Sequence, residues 1–401
     1  MLPKLTLFDS KKDFGIFLGA VFLILLINIA LKYHTYTKLK SQKVYQTSAV
    51  VINQYQKTKH NKTYIVFKLR AKDGFVFYST SKEDLKDLYG DTISFKMMTK
   101  NITFLDFFKG FYAPIYDIWI DKKDRFKTTL LDKITLQHQN PIMKELFSAL
   151  FFAKPVSKEL REKVSNLGIS HLIAISGFHL GVLFFILYFL LDRVYKFFQN
   201  RYFPYRNRKF DLTVFVIVLL FGYLYLLGFV PSLVRSYVMM IVGFYLYDRY
   251  FNIISFEVLL VAVMLILSFL PEFFFSIGFW FSVSGVFFIY QFLGLFKNLK
   301  PWQVMIALNI WVFVMMIPIV HVVFSKWTFL QLVSPLLSMA FVVFYPLELF
   351  LHIFGVGDIF DGLILQLFSL ESVRYHFFTP KWLLIVYILV NFYFIKKIKH
   401  I

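Results

Sequence analysis

Residues 171–181 read HLIAISGFHLG: two histidines, a serine and two glycines at the head of a long apolar run. Lipid favours none of these side chains, so the stretch predicts a membrane-entering helix with more than one task. At about 100° per residue, Ser170, Ala174, Gly177 and Gly181 share one arc, a small-residue face on which a second helix can approach closely. His171, Ser176 and His179 fall on the opposite arc. They either satisfy neighbouring backbone within a bundle or line a wet path, which intramembrane ionisable groups usually face.

The chain around this stretch is 58% hydrophobic and only 17% charged over 401 residues, with 53 phenylalanines. That balance belongs to an integral membrane protein. The first apolar run, residues 14–31, continues into Lys32-Tyr33-His34 with no small-residue cleavage site, so a retained anchor is expected over 1–31. Lys and Arg outnumber Asp and Glu by 44 to 24, a net charge of +20. Nucleic acid and anionic lipid are the partners such a surplus suits, although every multi-span protein carries some of it. With no cysteine, disulfides, thiolate zinc sites and Cys nucleophiles are excluded.

Residues 32–101 are polar and hold four short runs rich in β-branched and aromatic residues, at 43–54, 63–70, 74–80 and 92–98. Asp73-Gly74 predicts a hairpin between the second and third. Such short strands in so small a module suit an OB-fold-like barrel. Within it Lys57, Lys59, Lys62, Lys68 and Arg70 interleave with Tyr64 and Tyr78. Cations that follow a phosphate backbone and rings that stack on bases are what single-strand binding needs; the alternative is a solvated face over an aromatic core. Residues 103–119 are aromatic but broken by Asp106, Lys109 and Pro114, which predicts an interfacial segment, and the linking region 102–168 continues as amphipathic helices.

The remainder, 169–401, is a series of apolar runs at 169–191, 212–230, 232–247, 253–270, 273–296, 302–324, 328–354 and 382–395. The fold class expected is therefore a polytopic α-helical membrane protein of about nine spans with a small inserted β-barrel. The basic loop 192–211 (Arg193, Lys196, Arg201, Arg206, Arg208, Lys209) orients the bundle: being short, it is cytoplasmic, which makes the barrel extracytoplasmic. Nine spans then put the KKIKH tail outside, against the charge rule, so one span is re-entrant or the tail is an exception.

LGISHLIAISGFHLG (167–181) resembles the signature of the ComEC-type competence family, close to Gly-Leu-Ser-His-Leu-Leu-Ala-Ile-Ser-Gly-Leu-His-Val-Gly. PSLVRSYVM (231–239) is similar to that family's Pro-Ser-x-x-Arg segment and supplies Ser232 and Arg235. FSIGFWFSVSGVFFI (275–289) is similar to its Gly-Phe-x-Leu-Ser-Phe segment, with Gly278, Phe279 and Ser282 retained and Val283 where Phe is usual. The barrel also resembles the family's extracellular OB-fold domain. The resemblance implies a multi-pass channel of the cytoplasmic (inner) membrane that takes single-stranded DNA into the cell during natural transformation. The implied partners are single-stranded DNA, the lipid bilayer, a periplasmic DNA-delivery protein, a separate nuclease, and a cytoplasmic motor or single-strand-binding proteins.

Ser170, His171, Ser176, His179, Ser232, Arg235 and Ser282 are the DNA-path candidates, with Ala174, Gly177 and Gly181 assigned to packing. Each has a structural alternative: Arg235 can snorkel, and Ser282 can bond its own helix backbone. Many members of the family carry a metallo-β-lactamase-like domain needing His-x-His-x-Asp-His. The nine histidines here (34, 60, 138, 171, 179, 321, 352, 376, 400) hold no such run, so neither a metal, a cofactor nor an enzymatic role is expected. Ser176-Gly177 leaves an intramembrane serine protease as the alternative, and a lipid or solute transporter as a third reading. No Gly-Lys-Ser/Thr phosphate loop occurs.

Overall fold

The computed structural model describes residues 8, 10–59, 62–81, 88–100, 102–122, 125–249 and 254–398. Two compact units are present, one built from residues 10–157 and 264–276, the other from 158–263 and 277 onward.

The first unit begins with α1 (Lys11–Lys40), capped by Ser10, whose hydroxyl accepts from the Asp13 N–H. Its 30 residues reach roughly 45 Å, longer than a bilayer core. The helix is more than an anchor. Midway, Asn28 donates to the Ser268 carbonyl at 3.0 Å, and Lys32 pairs with Glu272 at 3.0 Å. Its last turn buries Tyr36 and Leu39 in the β core, where Tyr36 donates to the Ile102 carbonyl.

Strands β1 (Val44–Lys59), β2 (Lys62–Ala71), β3 (Val76–Ser81) and β4 (Thr92–Met98) follow, with alternating burial along β4 and most of β3. The Asp73-Gly74 turn joins β2 to β3 as expected, with Gly74 at φ +85°, a conformation glycine adopts without Cβ strain. Asp73 also accepts from Tyr45 and Thr47. Burial, with that carboxylate beside it, pushes the Tyr45 phenol up to about 12. After α2 (Phe104–Lys109), closed at its start by a Thr103–Asp106 capping box, come β5 (Phe111–Tyr112) and β6 (Ile115–Lys122). The sheet order is β5-β3-β2-β1-β4-β6, with only β3–β5 parallel. The expected helical linker is thus corrected over 103–119, where β5 and β6 join the sheet. Phe107 and Phe111 are buried in the sheet's core, Phe111 stacking on Phe77 and Phe75, and β6 extends the sheet beside β4. Helices α3 (Arg125–Thr135) and α4 (Pro141–Phe152) complete the unit, α4 starting at an Asn140 cap with Pro141 at its first position.

The second unit contains α5 (Lys158–Asn166), α6 (Ser170–Ile173), α7 (Gly177–Tyr202), α8 (Arg208–Leu226), α9 (Pro231–Asp248), the first turns of α10 (Phe256–Phe269), α11 (Ile277–Leu295) and α12 (Pro301–His321). Then come β7 (Lys326–Thr328), α13 (Ser334–Ile353), α14 (Asp361–Phe368), β8 (Arg374–His376) and α15 (Lys381–Ile398), with β7 and β8 paired antiparallel. Among the described residues six helices are long and apolar enough to cross a membrane: α1, α7, α8, α11, α12 and the run 329–353 that contains α13. Helix α10 and residues 381–391 are apolar but shorter. The protein is a membrane protein with a small mixed sheet towards its N-terminus.

The span expected at 169–191 is corrected: the chain bends at Ala174–Ser176, and α7 runs on to Tyr202. Most of the expected basic loop is consequently helix. Arg193, Lys196 and Arg201 belong to the last turns of α7, and only residues 203–207 connect it to α8. Ion pairs Arg206–Asp211 at 2.6 Å and Arg208–Asp192 at 3.1 Å fasten this hairpin.

Candidate functional site

Three sequence segments that stand far apart in the chain meet at the bend before α7. Gly168 is left-handed at φ +69°, and its turn is held by side chains from the end of β7 and just beyond it. Thr328 donates to the Asn166 carbonyl at 2.5 Å, Gln331 to Ser165 at 3.0 Å and Ser334 to Gly168 at 2.9 Å. Below that clamp Glu162 gathers Lys326 at 3.4 Å and Arg374 at 3.3 Å, and the hydrogen bond to Lys326 holds its carboxyl below the usual carboxylate range. His171 then reaches Ser338 on α13, Nε2 to Oγ 3.2 Å, while its Nδ1 faces the Gly168 carbonyl.

The bend leaves backbone groups outside the helical ladder, and side chains take them up. Ser232 at the start of α9 donates to the Ile175 carbonyl at 2.6 Å. Ser176 stands at the N-cap of α7, its N–H donating to His179 Nδ1 at 3.1 Å and its Oγ 3.1 Å from the same nitrogen. That lone pair is therefore shared with a backbone donor. A serine nucleophile would need it for its own proton. His179 is fully buried, packed edge to face on Tyr345 with ring centroids 4.4 Å apart, and its Nε2 has no hydrogen-bond partner among the described residues.

Gly177 provides the close approach. A Cβ there would lie 2.7 Å from Ser236 Oγ, 3.3 Å from Ser236 Cβ and 3.6 Å from Arg235 Nη2. Arg235, only 5% exposed, directs Nε to Ser282 on α11 at 2.8 Å, Nη1 to Met239 Sδ at 3.0 Å and Nη2 to Ser236 at 3.0 Å. No carboxylate lies within ion-pairing distance of it among the described residues. A guanidinium has five N–H donors in a fork that matches phosphate, and three are directed at neutral groups here. The centre is a buried cation without a counter-charge.

The structure thus joins Gly177, Ser232, Arg235 and Ser282, with Ser176 one residue away. It corrects the two-arc division of 170–181. Because the helix is interrupted, positions before and after the bend do not share a wheel. Ser170, Ala174 and Gly181 are exposed, and a Cβ at Gly181 meets nothing within 4 Å, so Gly177 alone of the assigned small residues packs closely. His179 is likewise enclosed rather than lining an open surface. The serines at 236, 334 and 338, and Tyr345, were not singled out in the sequence; a serine carries no pattern until the helix it faces is known.

In the β unit, register places five expected contacts on one face. Lys57 opposes Tyr64 and Lys68 opposes Tyr78, with Lys68 Nζ 5.6 Å from the Tyr78 ring centre; Arg70 follows two residues along β2. Ile65, Phe67 and Leu69 turn the other way into the core. Arg70 is not fully available: burial lowers its pKa, and Glu272 draws on its charge. The side chains of Lys59 and Lys62 lie outside the described residues. Tyr55 of the same basic and aromatic strip borders this face, with rings and cations missed in the sequence. Tyr112 lies beside Tyr78, while Tyr89 and Lys154 line a cleft of about 280 Å³ together with Tyr55, and Lys127 Nζ is 4.6 Å from the Tyr89 ring centre.

Comparison with protein families finds one match over more than half of the chain: the model described as Competence protein aligns with residues 152–392. No curated protein and no solved structure matches the chain.

Proposed function

The chain belongs to the ComEC-type competence family, whose role is DNA uptake, and on that premise we propose that it is the cytoplasmic-membrane channel through which single-stranded DNA enters the cell. The observation that carries this reading is the buried Arg235 without a counter-charge, at the meeting point of the three family-like segments. An unpaired cation in a membrane bundle is costly, and a passing phosphodiester can compensate it. Ser282, Ser236 and Met239 hold the guanidinium fork in place between passages.

Supporting the same reading, the face bearing Lys57, Lys68, Tyr64 and Tyr78 combines cations with half-buried rings, as a sequence-tolerant single-strand platform does. Strand β1 paired with both β2 and β4, and β4 with a last strand, follow the OB-like order, with β6 as the fifth strand. The α7–α8 connection, with its basic flanks, is taken as cytoplasmic, the β unit as extracytoplasmic, and the three helices α9, α10 and α15 as completing about nine crossings. Delivery of DNA from outside, degradation of the other strand and pulling from inside fall to separate partners, and the chain itself is not an enzyme.

Arg235→Gln and Arg235→Lys test it. Transformation of cells carrying Arg235→Gln should fall by at least about tenfold, the loss of roughly one charge-assisted contact, with wild-type amounts of folded protein in the membrane. The lysine variant keeps charge without the fork and should retain part of the activity. Wild-type transformation by Arg235→Gln would refute the phosphate role.

A further inference from the structure

Helix α13 carries a second buried ionisable group, distant in sequence from the Arg235 centre. Glu348 is 0% exposed inside the membrane-crossing run 329–353, and neither carboxylate oxygen has a hydrogen bond among the described residues. Among the described residues one ionisable neighbour is in ion-pairing reach: His352, a turn later and 8% exposed, with Nδ1 3.2 Å from Glu348 Oε2. The same Nδ1 lies 2.7 Å from the Glu348 carbonyl oxygen. A carbonyl only accepts, so Nδ1 carries a hydrogen, and the imidazole takes up any further proton at Nε2. Beyond that edge sits Gly357, where a Cβ would come within 2.6 Å of Nε2. Glycine lets the loop after α13 close over the ring.

From this arrangement we infer that Glu348 and His352 form a proton-binding site inside the membrane domain, reached from the α13 C-terminus through His352. An isolated carboxylate in lipid surroundings is strongly disfavoured, and intramembrane acids mark ion or proton pathways. The site balances with one proton. An ionised Glu348 beside neutral His352 has charge −1, and uptake of one proton on the carboxyl oxygen makes the pair neutral. Losing that proton to water leaves the charge uncompensated, so release requires that the pair be opened to solvent or to a cation.

Few other groups enter this chemistry. Helix α12, packed on α13, has no titratable side chain from Pro301 to Val320, and α7 has none from Leu180 to Leu187. Tyr345 lies one turn before Glu348 and packs on His179 of α7, and Asp358 and Asp361 follow Gly357 in the next loop and helix. The inference rests on the membrane placement of α13 and does not require the DNA reading.

Infrared difference spectra of the full chain in lipid vesicles, recorded across pH without DNA, test it. The wild type should show a protonated-carboxyl C=O band that grows on acidification and shifts in heavy water. Glu348→Gln should lose it, Glu348→Asp should move it in frequency, and His352→Gln should retain it with an altered pH dependence. The aspartate and glutamine-for-histidine variants keep the test open should Glu348→Gln fail to fold. A band that none of the three variants affects, or one insensitive to pH, would overturn the proton site. Neither result bears on whether Arg235→Gln transforms, so the two readings stand or fall separately.

Discussion

Gly177 and Gly181 stand four residues apart on α7 and should respond to alanine in opposite directions. At Gly177 the new Cβ meets Ser236 Cβ at 3.3 Å and Ser236 Oγ at 2.7 Å. Rotating the hydroxyl away relieves the shorter contact only by giving up its bonds to the Ser232 carbonyl at 2.9 Å and from Arg235 Nη2 at 3.0 Å. Overpacking of this kind costs about 1–3 kcal/mol, and loss of a bond to a charged donor adds about 1.5–3 kcal/mol if the hydroxyl yields. At Gly181 nothing lies within 4 Å, and alanine in a helix interior is favoured over glycine by about 0.8–1.0 kcal/mol. Thermal unfolding of the purified protein in one detergent should therefore put Gly177→Ala below wild type and Gly181→Ala at or above it. Adding Ser236→Ala removes the 2.7 Å contact, so Gly177→Ala/Ser236→Ala should be more stable than the sum of the two single changes implies. Equal effects at the two glycines, or strict additivity in the double variant, would refute the close approach of α7 to α9.

Two further outcomes can be measured directly. Glu162 is held below its ordinary range by Lys326, so its contribution to joining α5 with β7 and β8 is complete above the unfolded carboxylate value of about 4.3 and is lost as pH falls through the folded one. Hydrogen exchange at residues 326–328 should accelerate in that acidic window, and Glu162→Gln should give the fast rate already at neutral pH; a pH-independent difference would show the ion pairs to be inert. On the β face, Lys57→Glu with Lys68→Glu in the full chain should weaken single-stranded DNA binding and reduce the slope of log K against log salt by about 0.7 per lost phosphate contact. An unchanged slope means a solvated face.

Some of this protein was legible from residue order alone because the signal is local. The Asp73-Gly74 turn needs only one left-handed residue, which Gly74 supplies, and the alternation through Ile65, Phe67 and Leu69 needs only a sheet with one dry side, so the hairpin and its polar face followed directly. Apolar length likewise announced the membrane helices, and Arg235 stood out as a charge where lipid tolerates few. The interruption at Ala174–Ser176 had no such signal. In lipid a helix is apolar on both its protein and its bilayer sides, so periodicity does not distinguish them, and no proline marks the break. What holds the bend is the hydrogen bond from Ser232 on α9 to Ile175, and the Gly168 turn ahead of it is held from Thr328, Gln331 and Ser334, over fifty and over a hundred and sixty residues away respectively. The tertiary structure therefore decided which glycine packs, which histidine is enclosed, and that strand β6, hidden in an aromatic stretch interrupted by Pro114, completes the sheet. Backbone groups freed at a bend must find partners, and residue order does not say which distant side chains will supply them.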